Sequence, residues 1–290
     1  MVVMTPKRRT KAAVMDLKAS LKAICEEYGL ITIRQLFYQA VSRGLVEKTE
    51  KQYRRVSNFT TAMRKAGELD MDLIVDPTRA EKVVSQWFNL AEYVEVIRQS
   101  YRINYWDYAP EFIQVWLEKE ALSSIIRPVC DDYGVGLWVS RGYSSVTLLS
   151  KGSDQVAAKT ANGIPCKIVQ FGDHDPSGKD IGRNINEELI RLTAFKGGQP
   201  DLINFERVSL TADQVVAWGL PTRPTKASDS RAKNFKGPST ELDALPPDQL
   251  SDLVRQAILD RIDISLWNQI QDRQRQDEAT INALVLGGVA

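Results

Sequence analysis

Four short hydrophobic runs alternate with helix-like segments after Pro110, and this alternation constrains the fold more than any other feature of the sequence. The runs that suit strands are 112–117, 135–139, 166–171 and 202–208, and amphipathic segments at 121–133, 145–161 and 178–195 separate them. A connection long enough to contain a helix joins parallel strands. The sequence therefore predicts an α/β fold with a mostly parallel sheet and helices on both faces.

The residues before this region read as helices. Apolar residues recur at helical spacing in 14–28, in 32–42 and after Thr49, and 69–75 alternates as a short strand does. Three short helices followed by a small strand pair is the order of a winged-helix domain. We therefore expect a winged-helix, DNA-binding domain at 1–79, a connecting helix within 80–109, and a sheet domain at 110–290. In that last domain, 221–247 is expected to be a loop or lid, and helices at about 248–259 and 263–281 close the chain.

The charges are balanced overall but not locally. The net charge is +1, yet residues 1–65 hold 14 Lys and Arg against 5 Asp and Glu. Such asymmetry predicts an anionic partner for the N-terminal region, although a basic segment can also be a solvated face. The outer face of the third helix carries the candidate DNA-binding residues, which are Arg54, Arg55, Arg64 and Lys65.

Carboxylates follow two of the predicted strands. Glu118 comes directly after the first strand, and Asp173 and Asp175 come after the third. Carboxyl ends of parallel strands share one edge of a sheet, so these acids are expected to meet there. Hard oxygen ligands suit Mg²⁺, with Mn²⁺ as a substitute, and the chemistry that uses such a site is phosphodiester transfer. Glu120 either supports this site or binds a second metal ion, or it is an acid favoured at a helix N-terminus.

Other residues set limits. Cys25, Cys130 and Cys166 fit neither a disulfide framework nor a zinc site, which favours a reducing, cytoplasmic location. No apolar stretch is long enough to span a membrane, so no membrane partner is expected. His174 is the single histidine, and strand alternation points it away from the two acids beside it, so a structural role is predicted.

Several motifs together resemble one family. Glu118-Lys119-Glu120 after an apolar strand and Gly172-Asp173-His174-Asp175-Pro176-Ser177-Gly178 are similar to the Toprim fold. The Asp-x-Asp-Pro-x-Gly form resembles the A subunit of topoisomerase VI and its meiotic double-strand-break relatives. The segments 33–38, 140–143 and 241–245 are also similar to family segments, and the likeness covers about 30–260.

The resemblance implies roles for particular residues. Tyr38 would attack a backbone phosphate and form a 5′-phosphotyrosyl link, with Arg34 on the same helix face as its helper. Arg141 would touch a phosphate, with a surface salt bridge as the alternative. The resemblance further implies double-stranded DNA as substrate, a nucleoid-associated homodimer with shared active sites, and a separate ATPase subunit.

The sequence also departs from the family. Phe37 stands where the family has a first tyrosine, and no proline follows Gly142 in the turn at 142–145. These departures leave two alternatives open. One is a hydrolytic Toprim nuclease that does not use Tyr38, and the other is a non-catalytic DNA-binding subunit.

Overall fold

A computed structural model describes residues 11–75, 84–225, 235 and 237–288 of the chain. The helices are α1 (Lys11–Tyr28), α2 (Ile33–Ser42), α3 (Glu50–Lys65), α4 (Leu90–Ser100), α5 (Ser123–Asp132), α6 (Val146–Ala161), α7 (Pro176–Phe195), α8 (Ala212–Ala217), α9 (Pro247–Leu259) and α10 (Ile264–Gly288). The strands are β1 (Phe112–Leu117), β2 (Gly136–Val139), β3 (Cys166–Phe171) and β4 (Ile203–Ser209). Short 3₁₀ turns lie at Tyr105–Asp107, Glu120–Leu122, Pro200–Leu202 and Leu242–Ala244.

The four strands form one sheet in the order β2-β1-β3-β4, and every neighbouring pair is parallel. In register, Leu117 at the end of β1 lies between Val139 of β2 and Phe171 of β3. Every residue of β1 and of β3 is buried, so both faces of the central strands are covered. The predicted α/β class is confirmed, and the sheet is entirely parallel.

Helices α6 and α7 pack against each other over the face that carries Gln114 and Trp116. A Cβ on Gly152 of α6 would lie 2.6 Å from the Trp116 ring, so only glycine lets this helix approach. The Gln114 amide donates to the Gly152 carbonyl at 3.1 Å, and the Trp116 indole donates to the Gln114 side-chain oxygen at 3.1 Å. This packing holds α6 in place against β1, close to the strand ends that the candidate site occupies.

The three N-terminal helices form where the apolar spacing predicts them. Thr32 caps α2 in a capping box with Gln35, and the Thr49 side chain caps α3. Leu21, Leu36 and Val56, one from each helix, are fully buried in a common core. The strand predicted at 69–75 is wrong, because only a single parallel bridge joins Ile31 and Ile74. The winged-helix assignment stays a prediction.

The connecting helix predicted over about 80–106 is also too long. The structure describes 84–109, where α4 covers only 90–100 and buries none of its residues; positions 80–83 lie outside the described residues. Asn89 caps the helix, which explains its later start. Tyr105 and Trp106 follow as core residues, and the Trp106 indole donates to the Tyr133 carbonyl at 2.8 Å.

All three cysteines are free and buried, and burial raises the pKa of each thiol to about 12. Such thiols are unreactive at neutral pH. Within the described ranges, no helix combines the length and the apolar composition that crossing a membrane requires.

Candidate functional site

The ends of β1 and β3 bring the predicted carboxylates to one edge of the sheet. Glu118 Oε2 accepts a hydrogen bond from the Asp173 backbone N–H at 3.0 Å. Asp173 Oδ1 accepts from the Leu242 N–H at 2.8 Å, and Asp175 caps α7 by accepting from the Gly178 N–H at 2.7 Å. Glu118 and Asp173 are therefore in direct contact, Asp175 lies two residues further along the same loop, and each of the three accepts a hydrogen bond from the protein backbone.

Two glycines make this close approach possible. A Cβ on Gly178 would lie 2.3 Å from the Asp173 carbonyl oxygen and 3.1 Å from Glu118 Oε2. A Cβ on Gly172 would lie 2.6 Å from the same Glu118 oxygen. Any side chain at either position would push the carboxylate away from the loop, so the glycines determine the geometry of the edge.

Burial and the neighbouring Asp173 raise the pKa of Glu118 to about 7. Burial likewise raises the pKa of Asp173, although Lys119 opposes this effect. Beneath them, the Arg207 guanidinium donates to the Gln170 side chain, to the Gly178 carbonyl and to the Asp173 carbonyl. Arg207 thus holds the turn between β3 and α7 by hydrogen bonds and adds a positive charge close to the acids.

Lys119 lies at the centre of a second group of acids. Its ammonium nitrogen is 2.9 Å from Asp173 Oδ1 and 3.4 Å from Glu241 Oε2, and it also donates to Asp243 Oδ2. Although burial disfavours the charged lysine, these three carboxylates raise its pKa above the ordinary value. The Asp243 side chain is fully buried, and its Oδ1 has no hydrogen-bond partner among the described residues.

Glu241 links the N-terminal helices to the sheet edge. Its Oε2 is 2.8 Å from the Arg34 guanidinium, and its Oε1 is 3.1 Å from that of Arg223. Arg223 also lies 3.5 Å from Asp175 Oδ2. Burial works against the ionised form, but Lys119, Arg34 and Arg223 together lower the pKa of Glu241 to about 2.

Tyr38 lines a cavity of about 320 Å³ beside this group. The cavity also touches Arg34, Lys48, Arg223 and Glu241. The Tyr38 side chain is 3% exposed, and the Lys48 ammonium lies 4.9 Å from the centre of its ring. Burial and the charge of Glu241 raise the pKa of Tyr38 above its ordinary value of 10, whereas Lys119 lowers it.

The predicted DNA-contacting residues of α3 fall into two groups. Arg54 and Lys65 are exposed, and Arg54 pairs with Glu50 one turn earlier. Arg55 lies over the Phe59 ring, whereas Arg64 donates to the Met71 carbonyl at 2.7 Å. Arg64 therefore holds the turn after α3 and has fewer donors for a phosphate.

Arg141 and Glu120 form an ion pair with each other. Glu120 lies in the first turn of the short 3₁₀ helix after β1, the position that the dipole interpretation predicts. Arg141 has a backbone φ of 53°, in the left-handed region, and is followed by Gly142 at 86°. The Gly142 N–H donates to the Glu118 carbonyl at 3.3 Å, so this turn lies directly against the carboxylate edge.

His174 is buried, in keeping with the structural role predicted for it. Its backbone pairs with that of Thr240, with N···O distances of 2.8 and 2.9 Å. Burial and the nearby Lys179 lower the pKa of its ring. The pairing ties the loop after β3 to the segment that contains Glu241.

The donors at this edge fit Mg²⁺ in their chemistry. Burial and the negative charge of Asp173 raise the pKa of Glu118, and a divalent cation would offset both effects. Mg²⁺ is commonly held by one or two carboxylates, several waters and substrate phosphates. No three Asp, Glu, His or Cys side chains of the described residues converge on a common point for a metal. Glu118 and Asp173 are the pair closest to such an arrangement.

Sequence reasoning did not assign roles to Lys48, Lys119, Arg223, Glu241 or Asp243. Lys119 adjoins a predicted ligand, and Glu241 and Asp243 lie in a segment interpreted as part of a loop or lid. The described part of that segment is largely buried from Ser239 to Leu245. The sequence did contain a signal for these two acids, because Glu241 and Asp243 are separated by one residue within an apolar stretch.

The fold and the site define an α/β protein whose parallel sheet carries interlocked acidic and basic side chains at its carboxyl edge. Comparisons of the chain with protein-family models, with curated proteins and with solved structures find no match in any of the three.

Proposed function

We propose that the protein is a Mg²⁺-dependent, DNA-cleaving enzyme of the topoisomerase VI A type, with a winged-helix domain and a Toprim domain. One observation carries the proposal. Arg223 contacts both Asp175 and Glu241, and Glu241 contacts Arg34, so the cavity of Tyr38 adjoins the carboxylate edge. The proposed nucleophile, three cations and the proposed metal-binding carboxylates thus lie in one region.

The reaction is a transesterification. The Tyr38 oxygen bonds to the phosphorus of a DNA phosphodiester while the bond from phosphorus to the 3′ oxygen breaks, which leaves a 5′-phosphotyrosyl link and a free 3′ hydroxyl. The phenolic proton is released, and one proton is taken up by the leaving oxygen. Glu118, Asp173 and Asp175 are the residues that would hold Mg²⁺, and the bound ion would supply positive charge to the phosphodiester. Arg34 orients the phosphate from the edge of the cavity.

Hydrolysis without the tyrosine is the second candidate, and a specific observation favours it. Tyr38 is buried and its pKa is raised, both of which make a phenolate harder to form. The same carboxylates would then serve a metal-dependent nuclease in which water attacks. A third candidate, a non-catalytic DNA-binding subunit, requires that neutralising Glu118, Asp173 and Asp175 leaves function intact.

The proposed partner is double-stranded DNA. Arg54 and Lys65 on α3 are exposed, and with the partly exposed Arg55 they would contact backbone phosphates. A homodimer would cut both strands, and a separate ATPase subunit would couple cleavage to strand passage. These partners, and a nucleoid location, rest on the sequence resemblance.

The test is a cleavage assay on supercoiled plasmid with Mg²⁺ or Mn²⁺, stopped with detergent and analysed with and without protease. The wild type is compared with Tyr38→Phe and Asp173→Asn. Matched controls are Tyr108→Phe and Asp201→Asn, because both positions are exposed and remote from the cavity lining. We expect cut DNA to enter the gel only after protease, and both site variants to lose this product.

Free ends without protease, made equally well by Tyr38→Phe, would replace the transesterase with the hydrolytic nuclease. Unchanged DNA binding with no cleavage by any form would leave the non-catalytic subunit. Loss of cleavage in the two control variants would show that the assay reports folding rather than chemistry.

A further inference from the structure

We propose that the Tyr38 cavity is a phosphate-binding pocket in which Arg34, Lys48 and Arg223 hold one phosphate group against the tyrosine. The assignment of a DNA phosphate to this pocket rests on the proposed function. The new elements are Lys48 and Arg223, which lie 10 and 185 residues after Tyr38 in the sequence.

Lys48 is the first support for this pocket. Its ammonium nitrogen donates to the Pro221 carbonyl at 3.1 Å and lies 4.9 Å from the centre of the Tyr38 ring. Among the described residues, no carboxylate lies within ion-pair distance of it. The side chain is half-buried, and burial lowers its pKa. An ammonium group held in a cavity without a counter-ion is a site that an anion would occupy favourably.

Glu241 orients the other two cations. One of its oxygens binds Arg34 and the other binds Arg223, so a single carboxylate holds two guanidinium groups at the cavity wall. A guanidinium has five N–H donors, and the contacts with carboxylates use only some of them. The remaining donors are available to phosphate oxygens, which guanidinium groups bind in a forked geometry.

The shape and charge of the cavity agree with this ligand. Its volume of about 320 Å³ is at the lower end of the range for small-ligand sites, which suits a phosphate with an attached sugar. The rings of Phe37, Tyr38 and Tyr53 form apolar walls. Three cations line the cavity against Glu241 and Glu50, and Glu50 pairs with Arg54 outside it. The pocket therefore carries net positive charge.

The test measures binding without cleavage. A fluorescently labelled DNA duplex is titrated with the full chain in EDTA, and its anisotropy gives the dissociation constant. We expect Lys48→Met and Arg223→Met each to weaken binding about tenfold, which matches the loss of one charge-assisted contact. The slope of log affinity against log salt should fall by about 1 in each variant.

Two further variants control the experiment. Lys151→Met removes one positive charge from the exposed surface of α6 and should change the affinity by less than twofold. Lys48→Arg restores the charge and should recover most of the binding. Melting temperatures of all variants show whether Lys48→Met folds.

A second arm distinguishes the source of the phosphate. Inorganic phosphate at millimolar concentration, compared with chloride at equal ionic strength, should raise the melting temperature of the wild type but not of Lys48→Met. If phosphate also competes with the duplex, the pocket holds a strand phosphate. If phosphate protection depends on Lys48 while duplex affinity does not, the pocket holds a free phosphate.

The proposal is overturned if neither duplex affinity nor phosphate protection changes in Lys48→Met and Arg223→Met. This result is separable from the proposed function because no cleavage is measured. If the wild type binds DNA through Lys48 but never cleaves it, only the cleavage proposal is overturned. If the wild type cleaves DNA while both variants keep normal binding and phosphate protection, only the pocket proposal is overturned.

Discussion

At the residue scale, Lys119 is the most consequential side chain at the sheet edge. It is the common counter-charge of Asp173, Glu241 and Asp243, all of which are buried. Removing one partner of a buried ionic group leaves charges that neither water nor protein compensates, and this costs more than the group contributes when intact. The arrangement of Asp173 therefore depends on a residue that is not itself a predicted ligand.

We predict that Lys119→Met lowers the free energy of unfolding by about 3 kcal/mol, because three carboxylates lose their shared cation. Urea denaturation at pH 7 measures this loss. Lys151→Met, an exposed lysine on α6, is the control and should change stability little. The double variant Lys119→Met/Asp243→Asn should regain part of the loss. Equal stability of Lys119→Met and wild type would mean that water enters this cluster.

Glu241 predicts a dependence of stability on pH. Its pKa is lowered from 4.5 to about 2 by Lys119, Arg34 and Arg223 in the folded state. A carboxyl group with a lowered folded-state pKa stabilises the protein above its unfolded pKa, and this stability is lost as pH falls toward the folded value. The contribution is on the order of 3 kcal/mol at neutral pH and disappears between about pH 4.5 and pH 2.

We therefore expect Glu241→Gln to be less stable than wild type at pH 7, and the difference to shrink as the pH is lowered from 5 to 3. Urea unfolding midpoints at each pH measure this difference. Glu187→Gln on the exposed face of α7 is the control, since its surface pair with Arg183 contributes little. If the difference in stability between the two proteins stays constant across this pH range, the charge of Glu241 does not stabilise the folded state.

At the element scale, the turn from β3 into α7 determines where the acids lie. Pro176 begins α7, Asp175 caps it, and Gly178 allows the helix to approach the Asp173 carbonyl. Only four residues separate the end of β3 from the start of α7. A change in the first turn of α7 therefore moves the loop that carries Asp173.

We predict that Gly178→Ala destabilises the protein by about 2 kcal/mol, because its Cβ would lie 2.3 Å from the Asp173 carbonyl oxygen. Alanine is otherwise the better helix former, so a purely helical effect would have the opposite sign. Thermal unfolding measures the change, and Glu187→Ala later in α7 is the control. Cleavage should fall as well, because the loop that carries Asp173 must shift.

At the scale of the whole molecule, contacts within one chain connect the N-terminal helices to the sheet edge. Arg34 reaches Glu241 across 207 residues of sequence, and Lys48 reaches Pro221 across 173. The family resemblance implies active sites shared between two protomers, whereas these contacts join the cavity of Tyr38 to Glu241 and Arg223 of the same chain.

We predict that a mixture of the Tyr38→Phe and Asp173→Asn variants does not cleave plasmid DNA, because Arg34, Glu241 and Arg223 join the Tyr38 cavity to Asp175 of the same chain. The two variants are co-expressed, so that any dimer can contain one copy of each. A mixture of each variant with wild type is the control for dominant inhibition. Restored cleavage in the mixed variants would show that the tyrosine works with the acids of a partner protomer.

Residue pattern anticipated most of the fold because its cues are local. The bounds of β1 and β3 coincide with the apolar runs at 112–117 and 166–171, and α6, α7 and α9 begin within two residues of their predicted starts. The errors lie where local cues are weak. The run at 69–75 alternates like a strand, but within the described residues its one strand-like pairing is the bridge between Ile31 and Ile74.

The sequence by itself determined most of the elements, the parallel sheet and the sheet edge at which Glu118, Asp173 and Asp175 follow the strands. These follow from periodicity and from the geometry of parallel strands, both of which act over short stretches of chain. Only the tertiary structure decided which acidic side chain pairs with which basic side chain. Lys119, Glu241, Asp243 and Arg223 meet because the segment after Ser239 folds back on the sheet edge, and pairing between residues far apart in sequence leaves no local pattern.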